Sequence, residues 1–383
     1  MMKNKKNKKK AITFGVFVAA FCVLTAVSSE LKSSLDSQNM AKRWSADGSE
    51  FAQISVFYPD STVESYDENE AERLHLKVEN KMEEESYKSK NEESNIFTDA
   101  YSSVVTKLNV CTQEGAGYST ADIGVVGVGR NFFAFHPLEL LYGNYLYEDE
   151  LRNDRVILDE EAAWKLFASS NVIGMKIYIN GVQAEVAGVV KHEEGKAVEK
   201  SYPESSLIYV HYSLLEKIGG SKSLATYEAV LPNPVDNYAK NIFLENYGVD
   251  TTSAVEGDEN PEDSLPVVII DNTKRYSVSS LWKSLKNFEK STVITRPIAF
   301  PYWENAARVI NTRLTLLFVF MIIAATYIII TVIIFIAKCY LNRKWHLKPF
   351  IEMLTDKYTY KKRTRDYIDV DVNLIDGKES RYE

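Results

Sequence analysis

The stretch DRVILDEEAAWKLFASSNVIGMKIYINGVQAEVAGVV, residues 154–190, reads as a strand, a helix and a hairpin in succession. Arg155 to Leu158 is a short apolar strand. Asp159 to Phe167 places acids in a first turn, where the positive end of a helix favours them, and leaves Ala163, Trp164, Leu166 and Phe167 as an apolar face. That face predicts a buried Trp164. Ile177 to Ile179, the Asn180-Gly181 turn and Ala184 to Val190 then form a hairpin, because Asn-Gly adopts the positive φ angles a two-residue turn needs. Mixed elements in so short a span predict an α+β domain.

Outward from this stretch the signal stays mixed. Upstream, Phe51 to Phe57 alternates like a strand, and Glu70 to Ser86 reads as a charged helix with Leu74, Leu76, Val78 and Met82 as its apolar face. Residues 83–96 are nearly all polar and read as a mobile link. Ser103 to Val110 and Asp122 to Val128 are further strands, with Gly127 and Gly129 read as a strand-end bend. Downstream, Leu207 to His211, Tyr227 to Leu231 and Val267 to Ile270 are strands. Pro234 to Tyr247 and Tyr276 to Lys290 are helices, and Thr251 to Ser264 is an acidic loop. The glycine-rich portion, about 100–211, is expected to form a β-rich lobe inserted in a mixed α/β domain.

Two apolar runs frame that domain. Residues 314–337 hold 24 residues without a charge. At 1.5 Å per residue they reach about 36 Å, enough to cross a bilayer core of about 30 Å. Residues 11–28 form a second run behind a segment, 1–10, with six lysines and no acid. It reads as an uncleaved signal anchor, with a cleaved signal peptide as the alternative. Basic residues flank the outer edge of each run, Lys3 to Lys10 on one side and Lys338, Arg343 and Lys344 on the other. The positive-inside rule therefore puts both termini in the cytoplasm and 29–312 outside. The expected plan is a basic N-terminus at 1–10, helices at 11–28 and 313–337, an extracytoplasmic domain at 29–312, and a cytoplasmic tail at 338–383.

Charge follows the same division. Net charge is -8 overall, yet 11–337 carries 28 basic and 45 acidic residues. That excludes nucleic acid as a partner of the domain, since phosphates require a basic face. Of three cysteines only Cys111 lies in the outer stretch, so no internal disulfide is available there, which suits a Gram-positive cell membrane. Phe300-Pro301 starts a helix that runs through Trp303 and Arg313 into the span without a further Gly or Pro. Pro301, Trp303 and Arg313 are thus the candidate coupling residues between the domain and the bilayer.

Catalytic patterns are missing. No phosphate loop or paired-histidine zinc motif occurs, and Gly117 to Ala121 falls short of a nucleophile elbow. His136 reads as a structural loop histidine, and Asp159, Glu160 and Glu161 as a solvated helix start. No cofactor, metal or catalytic residue is expected.

The blocks 127–146 and 154–190 together resemble the periplasmic core domain of MacB-like ABC transporter permeases. The residues that carry the likeness are Gly127, Gly129, Phe132, Phe133, Gly143, Trp164, Leu166, Phe167, Gly174, Gly181 and Gly188, with Val156 to Leu158, Ile173, Ile177, Ile179 and Val186 to Val190 between them. The resemblance implies a two-part outer domain that works beside a separate cytoplasmic ATPase subunit, a permease, or both. It implies a non-enzymatic membrane subunit, here a truncated form with two spans where the family usually carries four. Such a subunit transmits ATP-driven motion or binds an extracytoplasmic partner. A stand-alone surface receptor or sensor is the competing class.

Overall fold

A computed structural model of the chain describes residues 2–44, 51–59, 66–85, 87, 95–113, 119–148, 150, 152–203, 206–248, 266–287, 300–341 and 355–360. The expected link at 83–96, the acidic loop at 251–264 and the tail beyond 360 lie wholly or mostly outside these residues. The chain divides into two compact units, 23–321 and a second made of 1–22 with 322–383.

The second unit contains residues 2–22 of helix α1 (Met2–Ser33) and 322–341 of helix α9 (Tyr302–Leu341). Their apolar side chains face outward: Ile329, Ile333, Phe335 and Ile336 are all exposed. Inside this unit the Phe17 ring stacks on Tyr327 with centroids 4.1 Å apart.

Among the described residues, the unit 23–321 is built on one 11-stranded sheet. Strand β1 (Phe51–Phe57) lies between β10 (Leu224–Pro232) and β11 (Val268–Asp271), and β10 pairs onward to β2 (Thr98–Ser103). β2 then pairs with β4 (Ser119–Arg130). From β4 the pairing closes on itself, through β3 (Thr106–Cys111), β7 (Lys176–Ile179), β8 (Val182–Val190), β6 (Arg155–Asp159) and β9 (Leu207–His211), and back to β4. β5 (Leu140–Gly143) hangs on β8. Closure removes the free edges that a six-strand sheet would otherwise expose.

Period-two alternation fills the ring. Ile123 and Val125, Val156 and Leu158, Ile177 and Ile179, Ala184 and Val186, and Ile208 and Val210 all point into one buried cluster. The intervening residues Val126, Ile157 and Tyr209 point out, into a second cluster that also holds Ala100, Val230 and the first turns of α9. The expected single strand Ser103 to Val110 is in fact two. It breaks at Val104 and Val105, where the chain leaves its pairing with β10 and enters the ring.

Helix α5 (Glu160–Phe167) corrects one expectation. Asp159 caps it, its carboxylate accepting from the Ala162 N–H at 2.6 Å. Asp159 is therefore buried rather than solvated. The buried face is Ala162 and Ala163, with Leu166 and Phe167 partly covered, whereas Trp164 is 54% exposed. Small residues let the helix sit close on the ring, and the i, i+4 repeat from 159 turns 164 outward. Trp164→Ala should accordingly change stability by less than about 1 kcal/mol in denaturant unfolding.

Helix α3 (Glu68–Glu84) packs through Ala71, Leu74, Val78 and Met82, while Leu76 sits off that face and is exposed. Polar pins hold it beside the sheet. His75 Nδ1 lies 2.9 Å from Asp99 Oδ2, which also accepts from Tyr227 at 2.8 Å, and Arg130 reaches Glu72 at 2.6 Å. The hydrogen bond to Asp99 is the main reason the His75 pKa is raised above 6.5, against burial and the nearby Arg130 charge. A raised folded pKa means the bond's contribution is complete below pH 6.5 and fades as pH climbs through the folded value. Unfolding midpoints should fall with pH across that window in the native chain, and His75→Gln should flatten the slope.

Candidate functional site

Helix α9 starts at Tyr302, with the Pro301 carbonyl accepting from Asn305 at 3.0 Å. Pro301 therefore stands at the cap, and the helix begins one residue after its expected start at Pro301. Trp303, Ala306, Ala307, Ile310 and Leu314 recur at helical spacing and are all buried. They face Ala100 and Val230 from the open part of the sheet, and Val126, Ile157 and Tyr209 from the ring. The seat of α9 thus spans the seam between the two parts. Trp303 packs against His136 and Phe132, with ring centroids at 4.3 and 5.7 Å.

A buried polar chain lies under the same face. Glu304 is 0% exposed and accepts two bonds from Arg275, at 2.6 and 2.8 Å, and one from Arg308 at 2.8 Å. The bidentate fork is the geometry in which Arg and carboxylate match best. Burial opposes the charge on Arg275, but Glu304 outweighs it and leaves the guanidinium pKa raised. Arg308 also lies over the Phe300 ring, at 3.7 Å.

The chain continues into the sheet. Arg275 neighbours Asn272 at 3.4 Å, Asn272 donates to Ser55 at 2.7 Å, and Ser55 donates to Glu228 at 2.8 Å. His136 Nε2 is 2.5 Å from the other Glu228 oxygen. Ser55 and Glu228 are direct cross-strand partners. On β1 the alternation that sends Ala52, Ile54 and Val56 into one core sends Gln53 and Ser55 to the α9 side. Gln53 there accepts from the Met40 N–H at 2.9 Å and donates to the Ser37 carbonyl at 2.6 Å, tying in the segment that follows α1.

A cavity of about 240 Å³ opens beside Trp303, between Ser34–Ser37, Pro137–Glu139 and His192–Glu194. Tyr302 donates to Glu193 there, and burial raises the Glu193 pKa above its ordinary 4.5. Asp159, Glu161 and His192 approach one another closely enough to hold a cation. Both Asp159 oxygens are already engaged, by Ala162 N–H on one side and by Leu207 N–H and Tyr202 on the other. Asp159 thus serves as a helix cap and a strand anchor.

The sequence-predicted residues divide into three sets. Phe132 and Trp303 meet at the α9 seat, with Phe133 partly buried against the same cluster and stacked on Tyr145. Gly127 and Gly129 lie inside β4 and form no bend. A Cβ at Gly127 would overlap Leu215, and one at Gly129 would overlap the Tyr101 ring. Gly188 is likewise a close-approach site, where a Cβ would come 2.6 Å from the Asn144 carbonyl oxygen. Gly143, Gly174 and Gly181 have φ of 81°, 78° and 84°; Gly143 ends strand β5, whereas Gly174 and Gly181 lie in turns, the last with Asn180 as expected. Trp164, Leu166 and Phe167 belong to α5, away from the seat, and Arg313 is partly buried on α9 itself. Sequence reading missed Glu304, Arg275, Glu228 and Asn272. The one visible signal was an acid, Glu304, beside the apolar stripe of a helix start, since a charge so placed needs a partner.

A family model for the MacB-like periplasmic core domain matches residues 11–245. This chain belongs to that family. It is 29% identical over 123 residues to a macrolide export ATP-binding/permease protein MacB of Aggregatibacter actinomycetemcomitans, covering 31% of this chain and 18% of that protein. It is 33% identical over 81 residues to a MacB of the same name from Chromobacterium violaceum, covering 20% and 13%. The chain thus spans less than a fifth of the length of these curated relatives. Among solved structures it is similar to the periplasmic region of MacB from Actinobacillus actinomycetemcomitans, at 17% identity and a TM-score of 0.40, covering 61% of this chain and 92% of that one. A second is the extracellular domain of the noncanonic ABC-type transporter YknZ from Gram-positive bacteria, at 17% identity and 0.37, covering 57% and 100%. Two helices of this MacB-like chain, among the described residues, are long and apolar enough to cross a membrane.

Proposed function

We propose that this chain is a non-catalytic membrane subunit of a MacB-like ABC-type envelope complex. Helices α1 and α9 anchor it with both termini in the cytoplasm and 29–312 outside. Its task is to relay motion, driven by ATP hydrolysis in a separate cytoplasmic subunit, to the outer domain or to a partner bound there. The observation that carries this reading is α9, a single helix from Tyr302 to Leu341 whose first turns are locked on the seam of the sheet by the buried Glu304 ion network. A continuous helix with a locked end passes on displacement that a loose tether would dissipate. The basic flanks of both apolar runs support the topology, and the names of the relatives, which join ATP-binding to permease, support a nucleotide-driven partner.

Two measurements test the reading. A cysteine introduced at Asn91 should react with an impermeant maleimide in intact cells, and one at Asp376 only after lysis. The reverse pattern would overturn the topology. Affinity capture of the full chain in mild detergent should bring down an ATP-hydrolysing subunit. Capture without any such subunit would favour the stand-alone receptor.

A further inference from the structure

We infer that helix α8 (Val278–Lys286) is a membrane-interfacial helix that seats the outer domain on the lipid headgroups of its own bilayer. The inference rests on the reading of α9 as a membrane span.

Helix α8 begins at a Ser277 cap and packs inward through Leu281, which is buried in the cluster that holds the first turns of α9. Its other face is unusual for water. Val278 is 71% exposed and Trp282, one turn on, is 46% exposed. Lys283 and Lys286 flank them, exposed, with the Lys286 ammonium 5.9 Å from the centre of the Trp282 ring. The helix has two lysines and no acid, in a stretch of chain where acids outnumber bases 45 to 28. A small apolar face with basic edges is the composition that anionic headgroups and the acyl boundary take up together.

The position of α8 along α9 names the occupant. Asn311 donates to Ser284 at 3.3 Å, and the Trp282 ring meets Phe318 edge-on with centroids 6.5 Å apart. Phe318 is four residues into the uncharged run that starts at Leu314, about 6 Å along the helix axis. Interfacial helices bury their apolar face about 5–10 Å into the headgroup and acyl boundary. Trp282 is therefore held at interfacial depth by its contact with the span, in the belt where indole rings are enriched. The occupant of this face is the lipid surface.

The test uses the full chain in vesicles, with Cys22→Ala, Cys111→Ser and Cys339→Ala as background. An environment-sensitive fluorophore is placed in turn at Val278→Cys, Trp282→Cys, Leu76→Cys on exposed α3, and Ile333→Cys in the middle of the run. Labels at 278 and 282 should be quenched by lipids carrying a nitroxide near the headgroup, and shielded from aqueous iodide several-fold relative to the label at 76. Quenching at 282 should be stronger with phosphatidylglycerol than with phosphatidylcholine alone, and Lys283→Glu with Lys286→Glu should remove that difference. If 278 and 282 are as open to iodide as 76 while 333 is quenched by deep nitroxide lipids, the inference is overturned and the span stands. If 333 escapes the deep quencher, the spanning reading falls and takes this inference with it.

Discussion

Glu304→Ala should destabilise the unit 23–321 by about 3–5 kcal/mol, because it leaves the buried Arg275 guanidinium without its counter-charge. Denaturant unfolding of the full chain in micelles, followed by near-ultraviolet dichroism, would read the loss. Arg308→Ala should cost about 1 kcal/mol or less, since that side chain is 32% exposed and its pairing with Glu304 is screened by water. Joint replacement, Arg275→Met with Glu304→Leu, should recover most of the deficit, as hydrophobic substitutes for a buried pair often do. A loss below about 1 kcal/mol for Glu304→Ala would mean that water reaches Arg275 in solution, and that the seat of α9 is looser than the structure shows.

Gly143→Ala should cost about 2–5 kcal/mol, combining two separate penalties. Its φ of 81° is left-handed, which costs an L-residue about 1–2 kcal/mol. An added Cβ would also overlap the backbone carbonyl oxygen of Ala187, and overpacking adds about 1–3 kcal/mol. Gly174 separates the two penalties. Its φ is 78° but nothing lies within 4 Å of the added carbon, so Gly174→Ala should show the backbone share alone, about 1–2 kcal/mol. Equal losses at both positions would show that β5 shifts on β8 to make room.

Much of the fold was legible because its signals are local. The Asn180-Gly181 hairpin, helix α5 and the unbroken α9 each follow from residues adjacent in sequence, though the buried Asp159 cap of α5 was read as solvated. Closure of the ring was not legible. It depends on parallel pairing of β4 with β9 and of β6 with β8, between strands far apart in sequence whose alternation is the same in an open sheet. Trp164 failed for a related reason. An aromatic ring adds hydrophobicity to whichever face it is counted on, while the face that packs was chosen by Ala162 and Ala163, which allow close approach. Gly127 and Gly129 were read as bend residues because sequence shows the missing Cβ but not the Leu215 side chain and the Tyr101 ring that occupy its place.

The candidate site was half legible. Trp303 and Phe132 could be named from an aromatic helix start and an aromatic pair, and they do meet. Their polar partners could not. Arg275, Asn272, Glu228 and Glu304 are ordinary surface residue types, spread over several elements, and only the tertiary fold buries them in one chain. A buried network of this kind fixes how a helix sits on a sheet.

The claim that α9 relays motion is tested most directly by hydrogen exchange on the purified assembly, with and without ATP, in the native chain and in a variant with three glycines between Thr312 and Arg313. Each glycine weakens the helix by only about 1 kcal/mol, so insertion and folding should survive. The account predicts that ATP changes amide exchange across the strands of the outer domain in the native assembly, and that this change is lost in the variant although ATP is still hydrolysed. An ATP-dependent change of the same size in the variant would contradict the relay and leave a tethered receptor as the better description.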